Sequence, residues 1–198
     1  MQWICGMPER MRAFCFFGKY HDIEVEDDVT AYFEYPGGAT GVFITSTGEA
    51  PGTNRLEISC DRGRLVVENG KIHLDRLETP VLEFCQTCQT KFDTPDCWDV
   101  AIPTATIGGS EHQRIIANFA DAILDGAALI APAPEGIRSV ELANAMIFSS
   151  LLGKTLELPL DAAAYEKQLQ TLIRTSKFKK TTVKPTKGTG MGASFNKA

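Results

Sequence analysis

The segment spanning residues 22–58 constrains the fold more than any other part of the chain, because it reads as strands joined by short turns. Residues 29–35 alternate in hydropathy, as a strand with one buried face does. One face of this strand would carry Val29, Ala31, Phe33 and Tyr35. The Pro-Gly-Gly triplet that follows is typical of a tight turn, since glycine accepts the positive φ of its second corner. Residues 39–47 are the predicted return strand, which makes the segment an antiparallel hairpin.

The rest of the chain predicts further strands and then helices. Strands are predicted at residues 12–17, 54–60, 64–68, 71–76, 81–87, 98–102 and 154–159. Asn69-Gly70 is a strong hairpin signal, because that turn needs a positive φ at both positions. Helices are predicted from a Ser110 cap to Gly126, from about Glu135 to Gly153, and from an Asp161 cap to about Leu172. The inner face of the second helix is predicted to carry Ile137, Val140, Ala143, Ile147 and Leu151.

These elements predict an α+β fold with a large, mainly antiparallel β-sheet and helices on one of its faces. Two or three helices cannot cover both faces of so many strands. The other face, to which we assign residues such as Phe33, Phe43 or Ile44, must therefore meet something else. A second copy of the chain is the economical answer, and it predicts a homodimer or homotetramer through the open sheet face.

Composition limits the partners and the compartment. The chain has 198 residues, of which 43% are apolar and 23% charged, and no apolar run approaches the roughly 20 residues that span a bilayer. No secretory signal is visible and six cysteines are present, so we expect reduced thiols in the cytoplasm. Residues 174–198 hold seven Lys or Arg and no acid, leaving 13 basic against 25 acidic residues before them. The acidic body argues against nucleic acid as a partner. We predict a domain over residues 1–172 and a flexible basic tail over residues 173–198.

Three segments carry a resemblance to a known family. They are the DIEVEDDVTAYFEYPGGATGVFITSTGEAPGTNRLEI stretch, the SEHQ helix start and EGIRSVELANAMIFSSLLGKTLELP. Over residues 2–165 the chain resembles the C-terminal domain of the Gfo/Idh/MocA oxidoreductases, without their N-terminal Rossmann domain. The resemblance implies the fold of a glyceraldehyde-3-phosphate dehydrogenase-like C-terminal domain, with oligomerisation through the open face of its sheet. It also implies an NAD(P)-dependent enzyme acting on a sugar or polyol.

The motifs that carry this family's chemistry are not found in the sequence. A G-x-G-x-x-A match at Gly188, Gly190 and Ala193 has no strand before it and no βαβ unit around it. The family's catalytic lysine comes from a Glu-Lys-Pro motif, and its aspartate and histidine come from an Asp-x-x-x-His helix; neither motif is present. We therefore expect that this chain alone binds no cofactor and is not catalytic, although NAD or NADP is implied for the full-length enzyme.

Substrate contacts are predicted at two places. The loop from Thr47 to Arg55 would bring hydroxyl, amide and guanidinium groups to a polyol, and its corresponding loop in the family approaches the substrate. The candidates are Thr47, Glu49, Asn54, Arg55, Glu111 and His112, the last two at a helix start where the dipole favours an anion. An ordinary polar loop and an ordinary surface helix start are the alternatives. His21 is a weaker candidate.

Other interpretations stay open. The acidic run at residues 24–28 is interpreted as a solvated face rather than a cation site. Cys85-Gln-Thr-Cys88 with Cys97 suggests a zinc-stabilised β domain, but the second ligand pair is missing and strand spacing would place Cys85 and Cys88 on opposite faces. No metal is therefore predicted. Besides the oxidoreductase domain, the remaining hypothesis is a cofactor-free binding or assembly module.

Overall fold

A computed structural model of the chain describes residues 1–103 and 111–178. In chain order these residues form α1 (Gln2–Cys5), β1 (Arg10–Phe17), β2 (Glu26–Glu34), a 3₁₀ turn (Pro36–Gly38), β3 (Thr40–Ser46), β4 (Arg55–Cys60), β5 (Gly63–Glu68), β6 (Lys71–Leu77), α2 (Val81–Thr87), β7 (Cys97–Ile102), α3 (Glu111–Asp125), α4 (Ala133–Leu152), β8 (Leu156–Glu157) and α5 (Ala162–Thr175). The chain divides into two compact units. The first unit joins Met1–Gly48 to the chain from Pro134 onward, and the second unit is Glu49–Ala133.

The first unit contains a four-stranded antiparallel sheet with the strand order β3-β2-β1-β8. Its centre is in regular register, with Ala13 opposite Ala31 and Ala31 opposite Phe43. The turn between β2 and β3 has positive φ at Gly37 and Gly38, as the Pro-Gly-Gly triplet predicts. The face of β2 that carries Val29, Ala31 and Phe33 is buried, and Phe33 is fully inaccessible to solvent.

The core of the first unit lies between this sheet and α4. It is made of Met11, Ala13, Ala31, Phe33, Tyr35, Leu142 and Ala145. Phe43 packs against this cluster, so the assignment of Phe33 and Phe43 to the open face is wrong, whereas Ile44 does lie on that face and is 70% exposed. The register explains the difference, because Phe43 pairs with Ala31 and must share its face.

Helix α4 buries a different stripe from the predicted one. Ile137 and Val140 are exposed, and the buried positions are Leu142, Ala145, Phe148 and Ser149. The helix is apolar on more than one side, and the buried stripe includes a serine that apolar periodicity does not select. Ser149 is buried because its hydroxyl has partners: it accepts a hydrogen bond from the Ala13 amide (3.0 Å) and donates one to the Lys154 carbonyl (2.7 Å).

The second unit contains a separate four-stranded antiparallel sheet with the order β4-β5-β6-β7. The α+β class and the antiparallel strands are as predicted, but the strands form two sheets of four rather than one large sheet. The hairpin between β5 and β6 turns at Asn69 and Gly70, both with positive φ, which confirms the sequence signal. At Gly63 a side chain would clash, because an added Cβ would lie 2.0 Å from the Asp75 carbonyl oxygen.

Residues 81–87 form a helix, so the strand predicted there is wrong. The reason is a distant cap: the carbonyl and carboxylate oxygens of Asp61 accept hydrogen bonds from the amides of Val81 (2.8 Å) and Leu82 (2.9 Å). These two amides have no partner inside the helix, and Asp61 supplies one from about 20 residues away. Strand spacing therefore does not apply to Cys85 and Cys88, the first inside α2 and the second just after it.

The predicted last helix is confirmed, since the Asp161 side chain accepts a hydrogen bond from the Ala164 amide at the start of α5. Helix α3 ends before Gly126, which has a positive φ, but the predicted Ser110 cap lies outside the described residues. So do the G-x-G-x-x-A match and most of the basic tail, and the division into a domain and a tail stays a prediction. None of the described helices has the length and apolar character that crossing a membrane requires.

Candidate functional site

A cluster of polar groups in the first unit surrounds Asp27, near the start of β2. It is called the Asp27 cluster below and contains Lys19, Tyr20, His21, Asp27 and Thr47. The loop before it, residues 18–25, connects β1 to β2 and is called the hairpin loop below. Three consecutive amides of this loop donate to the Asp27 carboxylate, those of Lys19 (2.9 Å), Tyr20 (2.7 Å) and His21 (3.1 Å). The side chain of Asp27 has no exposed surface, so one buried carboxylate holds the loop in place.

The Asp27 carboxylate is ionised. Burial alone would raise its pKa, but the amide hydrogen bonds from Tyr20, Lys19 and His21, together with the His21 side chain, outweigh burial and lower the pKa from 3.8 to about 2. The interpretation of residues 24–28 as a solvated acidic face is therefore wrong for Asp27, which is 3% exposed.

Asp27 also organises the imidazole of His21 and the hydroxyl of Thr47. Nδ1 of His21 lies 3.4 Å from Oδ2 of Asp27 and 3.2 Å from Oγ1 of Thr47. The Thr47 hydroxyl in turn donates to the backbone carbonyl of Asp27 at 3.2 Å. Thr47 follows β3, so the antiparallel sheet brings the end of that strand beside the β1–β2 connection. The structure thus joins the predicted residue Thr47 to the weaker candidate His21.

Lys19 and Tyr20 complete the surface of the hairpin loop. The Lys19 ammonium lies 2.8 Å from Oδ2 of Asp28 and 4.8 Å from the centres of the Phe16 and Tyr20 rings. The hydrogen bond to Asp28 raises the pKa of Lys19, and the same bond lowers the pKa of Asp28. The Tyr20 ring lies against Gly48, where an added Cβ would be only 2.5 Å from the ring. Glycine at position 48 is therefore required by this close approach.

The remaining predicted site residues lie in the second unit. Arg55 is committed to the face of the β4-β5-β6-β7 sheet, with its guanidinium 2.6 Å from Glu57 and 2.9 Å from Glu68. Glu49 and Asn54 are exposed, and within the described residues their side chains donate and accept no hydrogen bond. Glu111 is the first residue of α3, and His112, the second, is exposed. Among the described side chains, no hydrogen bond or ion pair joins Arg55 to Glu49, Asn54 or His112.

Sequence reasoning missed three residues of the Asp27 cluster, namely Lys19, Tyr20 and Asp27. The local signal for Asp27 was weak, because Asp side chains commonly bind backbone amides only a few residues away, whereas these amides lie six to eight residues before it. Gly18 has a positive φ of 61°, and an added Cβ there would be 2.6 Å from the Ile23 carbonyl oxygen. The position of Tyr20 against Gly48 depends on strand pairing and has no local signal.

The described residues do not form a dinucleotide site. Such a site needs a parallel βαβ unit with a glycine-rich turn at the helix start, and every strand pairing in residues 1–103 and 111–178 is antiparallel. In the same residues no His, Cys, Asp or Glu side chains form a group of three that could hold a metal ion. All six cysteines are free thiols.

Residues 1–66 match the family model described as the GFO/IDH/MocA C-terminal domain. This match confirms, for the first third of the chain, the resemblance inferred from the sequence, and it includes the whole Asp27 cluster. No curated protein matches the sequence.

Solved structures extend the likeness in fold to about four-fifths of the chain. The WlbA dehydrogenase from Bordetella pertussis, in complex with NADH and UDP-GlcNAcA, is 20% identical with a TM-score of 0.50, covering 81% of this chain and 41% of that one. An aldose-aldose oxidoreductase from Caulobacter crescentus, complexed with glycerol, is 16% identical with a TM-score of 0.58, covering 79% and 43%. An oxidoreductase from Agrobacterium radiobacter, in complex with NAD+, L-tartaric acid and magnesium, is 14% identical with a TM-score of 0.55, covering 79% and 45%. The chain thus spans less than half the length of these three proteins.

Proposed function

We propose that this chain, whose residues 1–66 match the GFO/IDH/MocA C-terminal domain, is the substrate-binding and oligomerisation domain of an NAD(P)-dependent oxidoreductase. Its substrate would be a sugar or polyol, at a hydroxyl or carbonyl group. The family match carries the proposal, because the matched segment contains both the Thr47 site and the exposed face of the first unit's sheet. Solved structures of similar fold contain NADH with UDP-GlcNAcA in one case and glycerol in another.

In this proposal the chain contributes the groups that bind the substrate and not the groups that bind the nicotinamide. Hydride transfer needs a nicotinamide held against the substrate carbon, which is the chemistry that the cofactor supplies when bound. Because the described residues do not fit a dinucleotide, their role is confined to the substrate. What they offer is a rigid polar cluster at Thr47 and His21 that can bind and orient hydroxyl groups.

The oligomerisation part rests on the face of the first unit's sheet that points away from α4. Five large apolar or aromatic residues lie on it, each between 43% and 70% exposed: Phe14, Phe16, Tyr32, Val42 and Ile44. The register makes them neighbours, since Thr30 pairs with both Phe14 and Ile44, and Tyr32 pairs with Val42. A contiguous exposed apolar patch of this kind marks an interaction surface, and an apolar centre is typical of homodimer interfaces.

Light scattering coupled to size-exclusion chromatography tests the assembly at micromolar concentration. We expect a dimer or tetramer for the unmodified chain and a lower mass for Ile44→Lys, because the lysine would place a charge within an apolar interface. Ile173→Lys is the matched control, since Ile173 is also exposed (59%) but lies on α5. A monomeric unmodified chain, or equal effects of the two lysines, would contradict the proposal.

The substrate part is tested by titrating the ¹⁵N-labelled chain with glycerol and with D-glucose. We expect amide shifts at residues 18–21 and 47–48, and weaker shifts in Thr47→Val, which loses the hydroxyl. Thr40→Val is the matched control, because Thr40 is exposed and begins β3, whereas Thr47 directly follows the end of that strand. Shifts that are absent, or unchanged by Thr47→Val, would rule out this site for polyols.

The alternative function is a non-catalytic binding or assembly module derived from the same domain, and the exposed apolar face favours it independently of any substrate. The two experiments separate the alternatives. Assembly with no response to either polyol supports the module, whereas assembly with a response at Thr47 supports the oxidoreductase domain.

A further inference from the structure

The hydrogen-bond partners around His21 favour one of the two neutral tautomers of its imidazole. Nδ1 faces two oxygen atoms, Oδ2 of Asp27 at 3.4 Å and Oγ1 of Thr47 at 3.2 Å. The carboxylate of Asp27 is ionised and can only accept. The Thr47 hydroxyl lies 3.2 Å from the Asp27 carbonyl as well as 3.2 Å from Nδ1, and while it donates to that carbonyl it can only accept from Nδ1. A hydrogen on Nδ1 suits both contacts, whereas a bare Nδ1 lone pair would face the Asp27 carboxylate, so this arrangement favours the Nδ1–H tautomer.

The second ring nitrogen, Nε2, is then an acceptor. The His21 side chain is 49% exposed, and within the described residues Nε2 makes no hydrogen bond. The ring is held by the same carboxylate that fixes three amides of the hairpin loop, so its orientation does not depend on a bound ligand. An oriented imidazole with a free acceptor nitrogen at a solvent-exposed position is suited to receive a hydrogen bond from a ligand hydroxyl.

We propose that Nε2 of His21 is a substrate contact that accepts a hydrogen bond from a hydroxyl of the polyol or sugar, with Asp27 as the residue that positions the ring. This inference rests on the proposed substrate-binding function, and it adds a residue and an atom to it. The family match identifies neither His21 nor Asp27 as a site.

The charges around the ring favour a neutral hydroxyl over an anionic group. The Lys19 ammonium, at the start of the hairpin loop, is paired with Asp28 at 2.8 Å. Asp27 and Asp28 both carry lowered pKa values and are negative at neutral pH, Asp27 because amide hydrogen bonds outweigh its burial and Asp28 because of the Lys19 hydrogen bond. A carboxylate or phosphate at Nε2 would meet this negative field, while the Lys19 ammonium is already paired with Asp28. An uncharged donor is therefore the favoured ligand group.

The first test reads the tautomer directly, with no ligand. In long-range ¹H–¹⁵N spectra of the ¹⁵N-histidine-labelled chain, at about two pH units above the usual imidazole pKa of about 6.5, we expect His21 as the Nδ1–H tautomer. Asp27→Asn would place an amide donor near Nδ1 and should shift the population toward Nε2–H, as an asparagine does beside other carboxylate-oriented histidines. Thr47→Val keeps the carboxylate and should leave Nδ1–H in the majority.

His73 supplies the matched control. It lies 3.5 Å from Asp99, but both side chains are largely exposed (65% and 72%), so Asp99→Asn should leave the His73 tautomer mixture nearly unchanged. An Nε2–H majority at His21 in the unmodified chain would overturn the inference whatever the substrate proves to be. If Asp27→Asn disrupts the loop, the unmodified chain and Thr47→Val still decide the question.

The second test adds glycerol or D-glucose and follows the Nε2 resonance of His21. A shift at Nε2 that disappears in His21→Phe, together with at least fivefold weaker binding, supports the contact. Polyol shifts at Thr47 that persist unchanged in His21→Phe overturn the contact and leave the proposed function standing. If no residue of the chain responds to either polyol, both the proposed function and the contact are overturned. The tautomer measurement needs no ligand, so it still shows whether the ring was assigned correctly.

Discussion

The two sheets of this protein each have four antiparallel strands, but their exposed faces carry opposite kinds of side chain. In the first unit the face away from α4 carries large apolar side chains, with Ile44 70% and Val42 61% exposed. In the second unit one face is covered by charges that pair across strands, including Arg55 with Glu68 (2.9 Å) and Arg64 with Asp75 (2.7 Å). A face of paired charges is stable in water, whereas an apolar face is stabilised by contact with another surface.

The units also differ in how polar groups are used. In the second unit the ion pairs lie on the surface, where water and salt weaken them. The first unit also has surface ion pairs, such as Arg10 with Glu34 (3.1 Å), but it adds buried polar groups directed at the backbone, as with Ser149 at β1 and Asp27 at the hairpin loop. Buried polar groups cost more to remove than exposed pairs, because their partners are left without water. We therefore expect the first unit to be the more sensitive to polar substitutions.

The largest expected effect of this kind is at Ser149, which has no exposed surface. Its hydroxyl is the hydrogen-bond partner of the Ala13 amide and of the Lys154 carbonyl. Ala13 lies in β1 just after Arg10 and Met11, the two residues that pair with β8. Ser149→Ala leaves both groups unpaired and should lower the free energy of unfolding by about 1–3 kcal/mol. Urea denaturation followed by circular dichroism measures this change.

Ser59 in the second unit is the control for that substitution. It is exposed and its hydroxyl makes no hydrogen bond within the described residues, so Ser59→Ala should change stability by less than about 0.5 kcal/mol. Equal losses for the two alanines would show that the units do not differ in the way proposed, and that the Ser149 hydroxyl is not a structural partner of β1.

Local sequence patterns predicted much of the fold. The alternation in β2, the Pro-Gly-Gly turn, the Asn69-Gly70 hairpin and the Asp161 cap each depend on residues within a few positions of one another. Helix α2 could not be predicted in this way, because its first amides are capped by Asp61 from a distant part of the chain. The buried stripe of α4 was missed for a similar reason, since Ser149 is buried through a contact with β1.

The candidate site shows the same limit. Thr47 was selected from its polar loop, and the structure places it beside His21. Asp27 was misread because its neighbours, Glu24 and Glu26, alternate like a solvated strand edge, while the amides that bind it belong to a loop that folds back. Arg55 was selected for its guanidinium, but two carboxylates on its own sheet already bind that group. Sequence identifies a residue's chemistry, and only the fold shows which groups already occupy it.

Acid should affect the buried Asp27 carboxylate of the first unit differently from the exposed Glu57 carboxylate of the second unit. This effect is local, and we expect it to be smaller than that of Ser149→Ala. Because the pKa of Asp27 is lowered from 3.8 to about 2 in the folded protein, its stabilisation is complete above the ordinary pKa and is lost as the pH falls toward about 2. In Asp27→Asn the amides of Lys19, Tyr20 and His21 should be less protected from hydrogen exchange at neutral pH. Their protection should then fall little further between pH 5 and pH 2. Hydrogen exchange of these three amides, measured by NMR between pH 5 and pH 2, tests the difference.

Glu57 in the second unit provides the comparison. Its pKa is also lowered, mainly by the hydrogen bond from Arg55, but both side chains are more than a third exposed. At about 1 M salt the Debye length is only about 3 Å, so the acid sensitivity that depends on Glu57 should shrink, and Glu57→Gln should then match the unmodified chain. The sensitivity due to Asp27 should persist at this salt concentration, because its partners are backbone amides in direct contact with a buried group. If salt abolishes both effects equally, the Asp27 carboxylate is solvated and does not anchor the hairpin loop.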